Sequence, residues 1–164
     1  MTHFTASLVI GGTGMLTEAT KWLAARSDQT LLVARRASSF AVPGDDIVRL
    51  DADWRSPSFE RVVAEAVGRT PPIGAALLWL HEPDAILRWL LPIIPSARVV
   101  LVLGSVDGRP EVPDTAVKIA TVRLGSVQTP SGRRWLTHDE ISAGAVSSVE
   151  DGESRTVGDL AAIS

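Results

Sequence analysis

Short apolar segments alternate with helical patterns along most of this chain. The apolar segments are rich in Val, Ile and Leu and span residues 7–10, 30–34, 46–50, 75–80, 98–103 and 117–124. Such continuous apolar runs are typical of strands that are buried on both faces of a parallel sheet. Between them, apolar residues recur at helical spacing within residues 16–23, 59–67 and 86–91. The alternation predicts an α/β fold, a doubly wound parallel sheet with helices on both faces.

The length of the chain and the rest of its pattern indicate one domain. A chain of 164 residues is in the single-domain range, and no linker divides it, so we predict one domain over residues 1–164. After residue 124 the pattern predicts a loop over 125–134, a helix from about His138 to Val149 with Thr137 as its N-cap, and an irregular tail. Ser56 is predicted to cap the helix of residues 59–67, with Pro57 in its first turn.

Composition excludes several classes of function. The net charge of −3, from 16 basic and 19 acidic residues, gives no basic surface of the kind that binds nucleic acid or anionic membranes. The chain has no cysteine, which excludes disulfides, thiolate zinc sites and a cysteine nucleophile. The histidines lack ligand spacing, so no metal site is predicted. With no apolar run near the ~20 residues that span a bilayer and no signal-like start, we expect a cytoplasmic protein.

A glycine-rich segment joins the first predicted strand to the first predicted helix. It reads Gly11-Gly12-Thr13-Gly14-Met15-Leu16. Glycine at a strand end permits a tight turn and a close approach of the backbone to pyrophosphate, and the helix N-terminus adds a positive dipole end. Against the pattern G-x-x-G-x-x-G, the third glycine, which packs the helix, is replaced by Thr17. The context predicts a Rossmann-type dinucleotide-binding domain, although such a turn also occurs for purely structural reasons.

The end of the second strand points to the cofactor. A ribose 2′-hydroxyl is usually bound by Asp or Glu at this place, whereas a 2′-phosphate calls for arginine. Here the strand is followed by Arg35 and Arg36. Guanidinium groups bind phosphate in a bidentate way, which favours NADP(H) over NAD(H) as the cofactor. The alternative is that both arginines are merely solvated surface residues.

Several motifs together resemble the short-chain dehydrogenase/reductase family. Asp51 and Ala52 follow the third strand, where the resemblance implies contacts to the adenine amino group and ring. Ser105 is similar in position to the catalytic serine of the family. Residues 124–129 resemble the loop that holds the nicotinamide amide, which implies that Val127 contacts the carboxamide and that Thr129 lies nearby. The resemblance also implies a homo-oligomer, most simply a dimer. Trp89 and Leu90 are expected to be exposed on an apolar helix face and to contribute to its interface.

The chain departs from that family at its catalytic centre. The family places Tyr and Lys four residues apart on a helix between the fifth and sixth strands, but this chain contains no tyrosine. Residues 109–116, with Pro110 and Pro113, are too short and too interrupted for that helix. The remaining candidates for catalysis are Ser105, which could hydrogen-bond a carbonyl, and His81, an acid or base at the end of the fourth strand. Each has a plain structural alternative, a turn-capping hydroxyl and a surface histidine.

Three functions remain open from sequence alone. The first is a small NADP(H)-dependent oxidoreductase of unknown small-molecule substrate that works without the catalytic tyrosine. The second is a non-catalytic module that binds nucleotide or a partner protein. The third is a non-redox enzyme that uses the same fold for another ligand.

Overall fold

The computed structural model describes residues 2–41, 46–105, 107 and 117–160. Their strands are β1 (Phe4–Ile10), β2 (Ser27–Ala34), β3 (Ile47–Asp51), β4 (Ala75–Leu78), β5 (Arg98–Leu103), β6 (Ile119–Leu124), β7 (Ser126–Thr129), β8 (Gly132–Trp135) and β9 (Arg155–Val157). Their α-helices are α1 (Thr17–Ala25), α2 (Phe59–Gly68), α3 (Pro83–Leu90) and α4 (His138–Asp151). Short 3₁₀ helices span Ala37–Ser39 and Leu91–Ile93.

Seven strands form one parallel sheet in the order β3-β2-β1-β4-β5-β6-β9. The chain builds outward from β1 to β3 and then returns to the other side of β1 with β4. In open α/β sheets a ligand crevice opens outside the carboxyl ends of the strands at such a reversal. The predicted fold class is confirmed, and the topology places the crevice beyond the ends of β1 and β4.

The sheet separates two buried clusters, as the period of two along a strand requires. On one face, Leu8 and Leu101 pack with residues of α2 and α3. On the other face, Val9 and Val100 pack with residues of α1 and α4. Helices therefore cover both faces of the central strands, which accounts for the continuous apolar runs in β1, β4 and β5.

The C-terminal part contains more regular structure than the sequence predicts. The expected loop over 125–134 holds the antiparallel hairpin of β7 and β8. The expected irregular tail contains β9, the edge strand beside β6. Gly125 lies so close to this tail that an added Cβ would clash with the Asp159 carbonyl, and its N–H donates to the Val157 oxygen at 2.8 Å. β9 is therefore held by its ladder with β6 and by close backbone contacts just beyond its end, with only Val157 packed against the buried cluster.

The expected exposure of two residues of α3 is wrong. Leu90 is fully buried, and Trp89 is half-buried with its ring packed edge-on against Phe59 at a centroid distance of 6.1 Å. Both side chains are used in the packing of α3 against the sheet and α2. They provide no exposed apolar patch, so only the family resemblance supports the predicted dimer.

The N-caps of two helices can be compared with the prediction. At α4, Thr137 Oγ1 accepts from the Glu140 N–H at 3.1 Å, and a Glu140 carboxylate oxygen accepts from the Thr137 N–H at 2.8 Å. The predicted cap is confirmed as a full capping box. At α2 the N-cap is Ser58 rather than Ser56. The Ser56 hydroxyl instead accepts from the Ser58 N–H at 3.3 Å, within the turn before the helix.

The capping box of α4 gives a pH-dependent prediction. Arg134 donates to Glu140 at 2.7 Å, and this bond together with the Thr137 N–H lowers the pKa of Glu140 from 4.5 to about 2. A depressed carboxyl pKa stabilises the fold above the unfolded value, and this contribution is lost as the pH falls toward the folded value. We therefore expect the stability advantage of wild type over Glu140→Gln to shrink between pH 4.5 and about 2.

Thermal unfolding at a series of pH values measures this difference. Asp139→Asn is the matched control, because Asp139 is an exposed neighbour in the same first turn. An advantage over Glu140→Gln that stays constant down to pH 2 would show that the ion pair does not act on stability.

Among the residues that the structure describes, no helix combines the length and the apolar character needed to cross a bilayer.

Candidate nucleotide-binding cleft

The first glycine of the loop after β1 is fixed by the approach of β4. Gly11 has a φ of 78°, and its N–H donates to the Val33 oxygen at 3.0 Å. A Cβ added at Gly11 would lie 2.6 Å from the Trp79 carbonyl oxygen, closer than real side chains come. The left-handed conformation and the lack of space both require glycine here. Gly11 thus turns the chain at the point where the crevice opens.

The second glycine performs the packing role that the sequence assigned to position 17. A Cβ at Gly12 would clash with Thr20 Oγ1 and Val9 Cγ1, and Thr20 Oγ1 donates to the Gly12 oxygen at 2.8 Å. The close contact of helix and strand therefore occurs at Gly12. Thr17 is accommodated at the start of α1, where its hydroxyl donates to the Gly14 oxygen at 2.6 Å. Position 17 lacks the third glycine of the pattern, and Gly12 supplies a close contact between helix and strand in its place.

The last two side chains of the loop are turned toward the protein. Leu16 is the N-cap residue of α1 and is fully buried, and its own side chain makes no cap hydrogen bond. Met15 is partly buried, and its carbonyl accepts from the Ser142 hydroxyl of α4 at 3.2 Å. The same hydroxyl accepts from the Ala19 N–H in the first turn of α1 at 3.2 Å. The positive dipole end of α1 suits an anion such as a pyrophosphate.

An open cleft of about 710 Å³ lies beside this loop. Six predicted site residues are among those that line it: Gly11, Thr13, Arg35, Arg36, Ala52 and His81. Ile10, Val33, Ala34, Trp54, Phe59, Trp79, Leu80 and Ile86 complete the described wall. Of these described lining residues, two are arginines and none is acidic. The cleft therefore joins an anion-binding loop to a basic, partly aromatic wall.

Both arginines of the wall are exposed to solvent beyond the end of β2. Asp53 lies near enough to Arg35 for their charges to interact, but its carboxylate binds Arg55, with one oxygen 3.1 Å from the guanidinium. The Arg55 bond is the main reason that the pKa of Asp53 is lowered. Because Arg55 already neutralises this carboxylate, the arginines after β2 can offer their charge to a ligand.

The acidic residue predicted at the adenine is engaged within the protein. Asp51 accepts from the Ser38 N–H at 2.8 Å and from the Ser38 hydroxyl at 2.7 Å. The backbone bond is the main cause of the lowered pKa of Asp51. Ala52, the next residue, lines the cleft, and its N–H donates to the Ala34 oxygen at 3.0 Å. Asp51 thus holds the segment after β2 against the end of β3, and its contact with adenine stays a prediction.

Two aromatic rings stack at the wall of the cleft. The Trp54 and His81 ring centroids are 4.8 Å apart with an interplanar angle of 15°. Trp54 follows β3 and packs against the core, whereas His81 is exposed after β4. Glu82, which caps α3, has a φ of 55° in the left-handed region. The sequence predicts His81 at this edge of the sheet, but nothing in its pattern pairs His81 with Trp54.

Ser105 lies in a tightly bonded turn after β5. Asp107 Oδ2 accepts from the Gly104 N–H at 2.5 Å, and Arg123 donates to the carbonyls of Gly104 at 3.0 Å and Asp107 at 2.6 Å. This turn fixes the backbone on both sides of the exposed Ser105. The sequence did not single out Asp107 or Arg123, because their bonds are to backbone groups. Residues 109–116, which stand where the resembled family has its catalytic helix, lie outside the described residues.

The residues predicted at the nicotinamide lie on the hairpin. Val127 pairs with Arg134 in the β7–β8 ladder, and the Thr129 hydroxyl donates to the Gly132 oxygen at 2.6 Å. The hairpin follows β6 at the carboxyl edge of the sheet, on the same edge as Ser105. Neither Val127, Thr129 nor Ser105 is among the described residues that line the cleft. Nor do the described residues bring three His, Asp or Glu side chains together as a metal site would need.

Comparison with known proteins finds the fold but no close relative. No family model matches the chain, and no curated protein matches it. A short-chain dehydrogenase from Burkholderia cenocepacia J2315, solved in complex with NADP, is 15% identical, with a TM-score of 0.69 over 98% of this chain and 91% of that chain. A glucose/ribitol dehydrogenase of the short-chain family from Brucella melitensis is 14% identical, with a TM-score of 0.65 over 96% and 98%.

A third similar structure holds the other cofactor. It is an NADH-dependent reductase, A1-R′, complexed with NAD, which is 14% identical with a TM-score of 0.58 over 96% of this chain and 95% of that chain. The similar solved structures are thus short-chain dehydrogenases and other Rossmann-fold NAD(P)-binding proteins, and this chain has the Rossmann-like α/β fold that they share.

Proposed function

We propose that this protein binds NADP(H) in the cleft beside Gly11 and acts as a small oxidoreductase of the short-chain dehydrogenase type. The observation that carries the proposal is that Gly11 and Thr13 of the glycine loop line the same cleft as Arg35 and Arg36. The two features suit the two phosphate positions of NADP, the pyrophosphate and the 2′-phosphate. When bound, the dinucleotide would supply or accept a hydride.

Different residues of the chain would bind the different parts of the dinucleotide. Backbone N–H groups from Gly12 to Leu16 would hold the pyrophosphate, with Gly11 turning the chain out of the way. Arg35 and Arg36 would pair with the 2′-phosphate, and Ala52 would flank the base. Val127 and Thr129 would hold the nicotinamide amide only if the hairpin closes over the cleft.

A fluorescence titration with NADPH tests the proposal, because two of the five tryptophans line the cleft. Saturable quenching of wild type is expected, and Gly11→Ala should abolish it by pushing the Trp79 carbonyl into the crevice. Quenching that Gly11→Ala leaves unchanged would place the ligand elsewhere.

The expected chemistry is slow reduction of carbonyl substrates. A positioned general acid typically contributes about 10²- to 10⁴-fold, and the chain has no tyrosine to serve as one. We expect turnover of simple ketones to be lower by about that factor than in tyrosine-dependent reductases, with Ser105→Ala lowering it further. Loss of NADPH absorbance measures the rate. Fast turnover that His81→Gln abolishes would instead identify His81 as the acid.

A non-catalytic nucleotide-binding role is the second candidate. It is favoured by the absence of Ser105 from the described residues that line the cleft. Tight NADPH binding without turnover over a broad panel of carbonyl compounds would support this alternative.

A further inference from the structure

We propose that the exposed face of His81, backed by Trp54, is the surface on which the purine base of the dinucleotide stacks. The inference rests on the proposed function and assigns a binding residue within the same cleft. In this role His81 holds the base and transfers no proton.

The stacked rings of Trp54 and His81 form an aromatic surface in the cleft. They are nearly parallel, with 15° between their planes and 4.8 Å between their centroids. Trp54 packs against the core beneath and is covered by the imidazole, whereas His81 is exposed and lines the cleft. A planar ring that enters the cleft can therefore extend the stack on the free face of His81 without displacing either residue. Bases stack readily on aromatic side chains because every base presents a π-face.

The position of the pair corresponds to the adenosine half of the ligand. In the ladder of β2 and β3, Ala34 is opposite Asp51, so Arg35 and Trp54 follow neighbouring strand ends. The ribose that carries the 2′-phosphate also carries the purine. A 2′-phosphate held by Arg35 and Arg36 would bring that purine to the same part of the cleft, where His81 reaches across from β4.

The residue after His81 has an unusual backbone conformation. Glu82 has a φ of 55° and ψ of 58°, the left-handed conformation that a residue other than glycine seldom adopts. Such residues cluster at ligand clamps and switch regions. Packing against Trp54 on one face restricts the His81 ring before any ligand arrives, which reduces the entropy lost on binding.

Calorimetric titration of variants with NADPH and with adenosine 2′,5′-bisphosphate tests the inference. His81→Ala should weaken binding of both probes at least about fivefold, the lower end of what a base–aromatic stack contributes. His81→Phe should keep the wild-type affinity, since it restores a planar ring. His3→Ala is the matched control, because His3 lies beyond the opposite edge of the sheet and binds Asp28 at 2.7 Å.

The possible outcomes separate the stacking role of His81 from the proposed function. If His81→Ala binds as well as wild type or better, or if His81→Phe loses as much as His81→Ala, the stacking role is refuted while the proposed function stands. If wild type binds neither probe, the proposed function fails and the stacking role falls with it. Because His81 is exposed, its variants are expected to fold. Measuring their unfolding temperatures beside that of wild type checks this.

Discussion

Replacing Arg35 and Arg36 together with alanine is expected to weaken NADPH binding by about tenfold to hundredfold and to leave NADH binding almost unchanged. Hydrogen bonds to charged groups contribute roughly 1.5–3 kcal/mol each, and only NADPH carries the 2′-phosphate that these guanidinium groups would meet. Both side chains are exposed at the cleft wall, so the substitutions remove charge without opening a cavity in the core. Calorimetric titration of the double variant with each cofactor measures the change.

A control with the same change of charge separates contact from general attraction. Arg61 and Arg69 are exposed on and just after α2, and both lie within ion-pair range of Glu65, at 3.6 and 4.0 Å. Replacing both with alanine removes the same two charges away from the described cleft wall. If this control weakens NADPH as much as the cleft variant does, or if the cleft variant weakens NADH equally, the arginines do not recognise the 2′-phosphate.

Gly12→Ala is expected to destabilise the fold by about 1–3 kcal/mol, which corresponds to a fall in Tm of roughly 2–12 °C for a domain of this size. The added methyl group would collide with Thr20 Oγ1 and Val9 Cγ1 in the contact between α1 and β1. Neither atom can withdraw easily, because both residues are fully buried and the Thr20 hydroxyl binds the Gly12 carbonyl. Thermal unfolding measures the effect.

Gly14→Ala is the matched control for this substitution. A Cβ at Gly14 would meet no described atom within 4 Å, and Gly14 does not have a positive φ. Alanine there should be neutral or stabilise the protein by up to about 1 kcal/mol, since it restricts the unfolded chain. Equal destabilisation by the two substitutions would show that loop flexibility, and not the packing of α1 on β1, requires the glycines.

The sequence predicts the central sheet well because β1, β4 and β5 are buried on both faces. The apolar runs of residues 8–10, 75–78 and 99–103 have no polar alternation, which distinguishes them from the helices between them. The edge strand β9 is harder to predict from the sequence. β9 has only three residues, Arg155–Val157, and is held mainly by its ladder with β6, which no apolar pattern encodes.

The candidate site was predictable where it depends on local sequence and not where it depends on contacts between distant segments. The glycine loop and Arg35 follow directly from adjacent residues, and the structure brings them into one cleft. The stack of Trp54 on His81 joins residues 27 positions apart, and the bond of Ser38 to Asp51 depends on a short 3₁₀ turn. Such contacts are set by how β3 and β4 lie in the sheet, so single-residue patterns do not reveal them.

Calorimetric titration of the wild-type protein with NADPH and, separately, with NADH is the direct test of NADP(H) binding in the cleft. We expect one binding site per chain for NADPH, with NADH binding there at least about tenfold more weakly because it lacks the phosphate that Arg35 and Arg36 would hold. Equal affinity for the two cofactors would contradict the role of the arginines. Folded protein that binds neither cofactor would contradict the account as a whole.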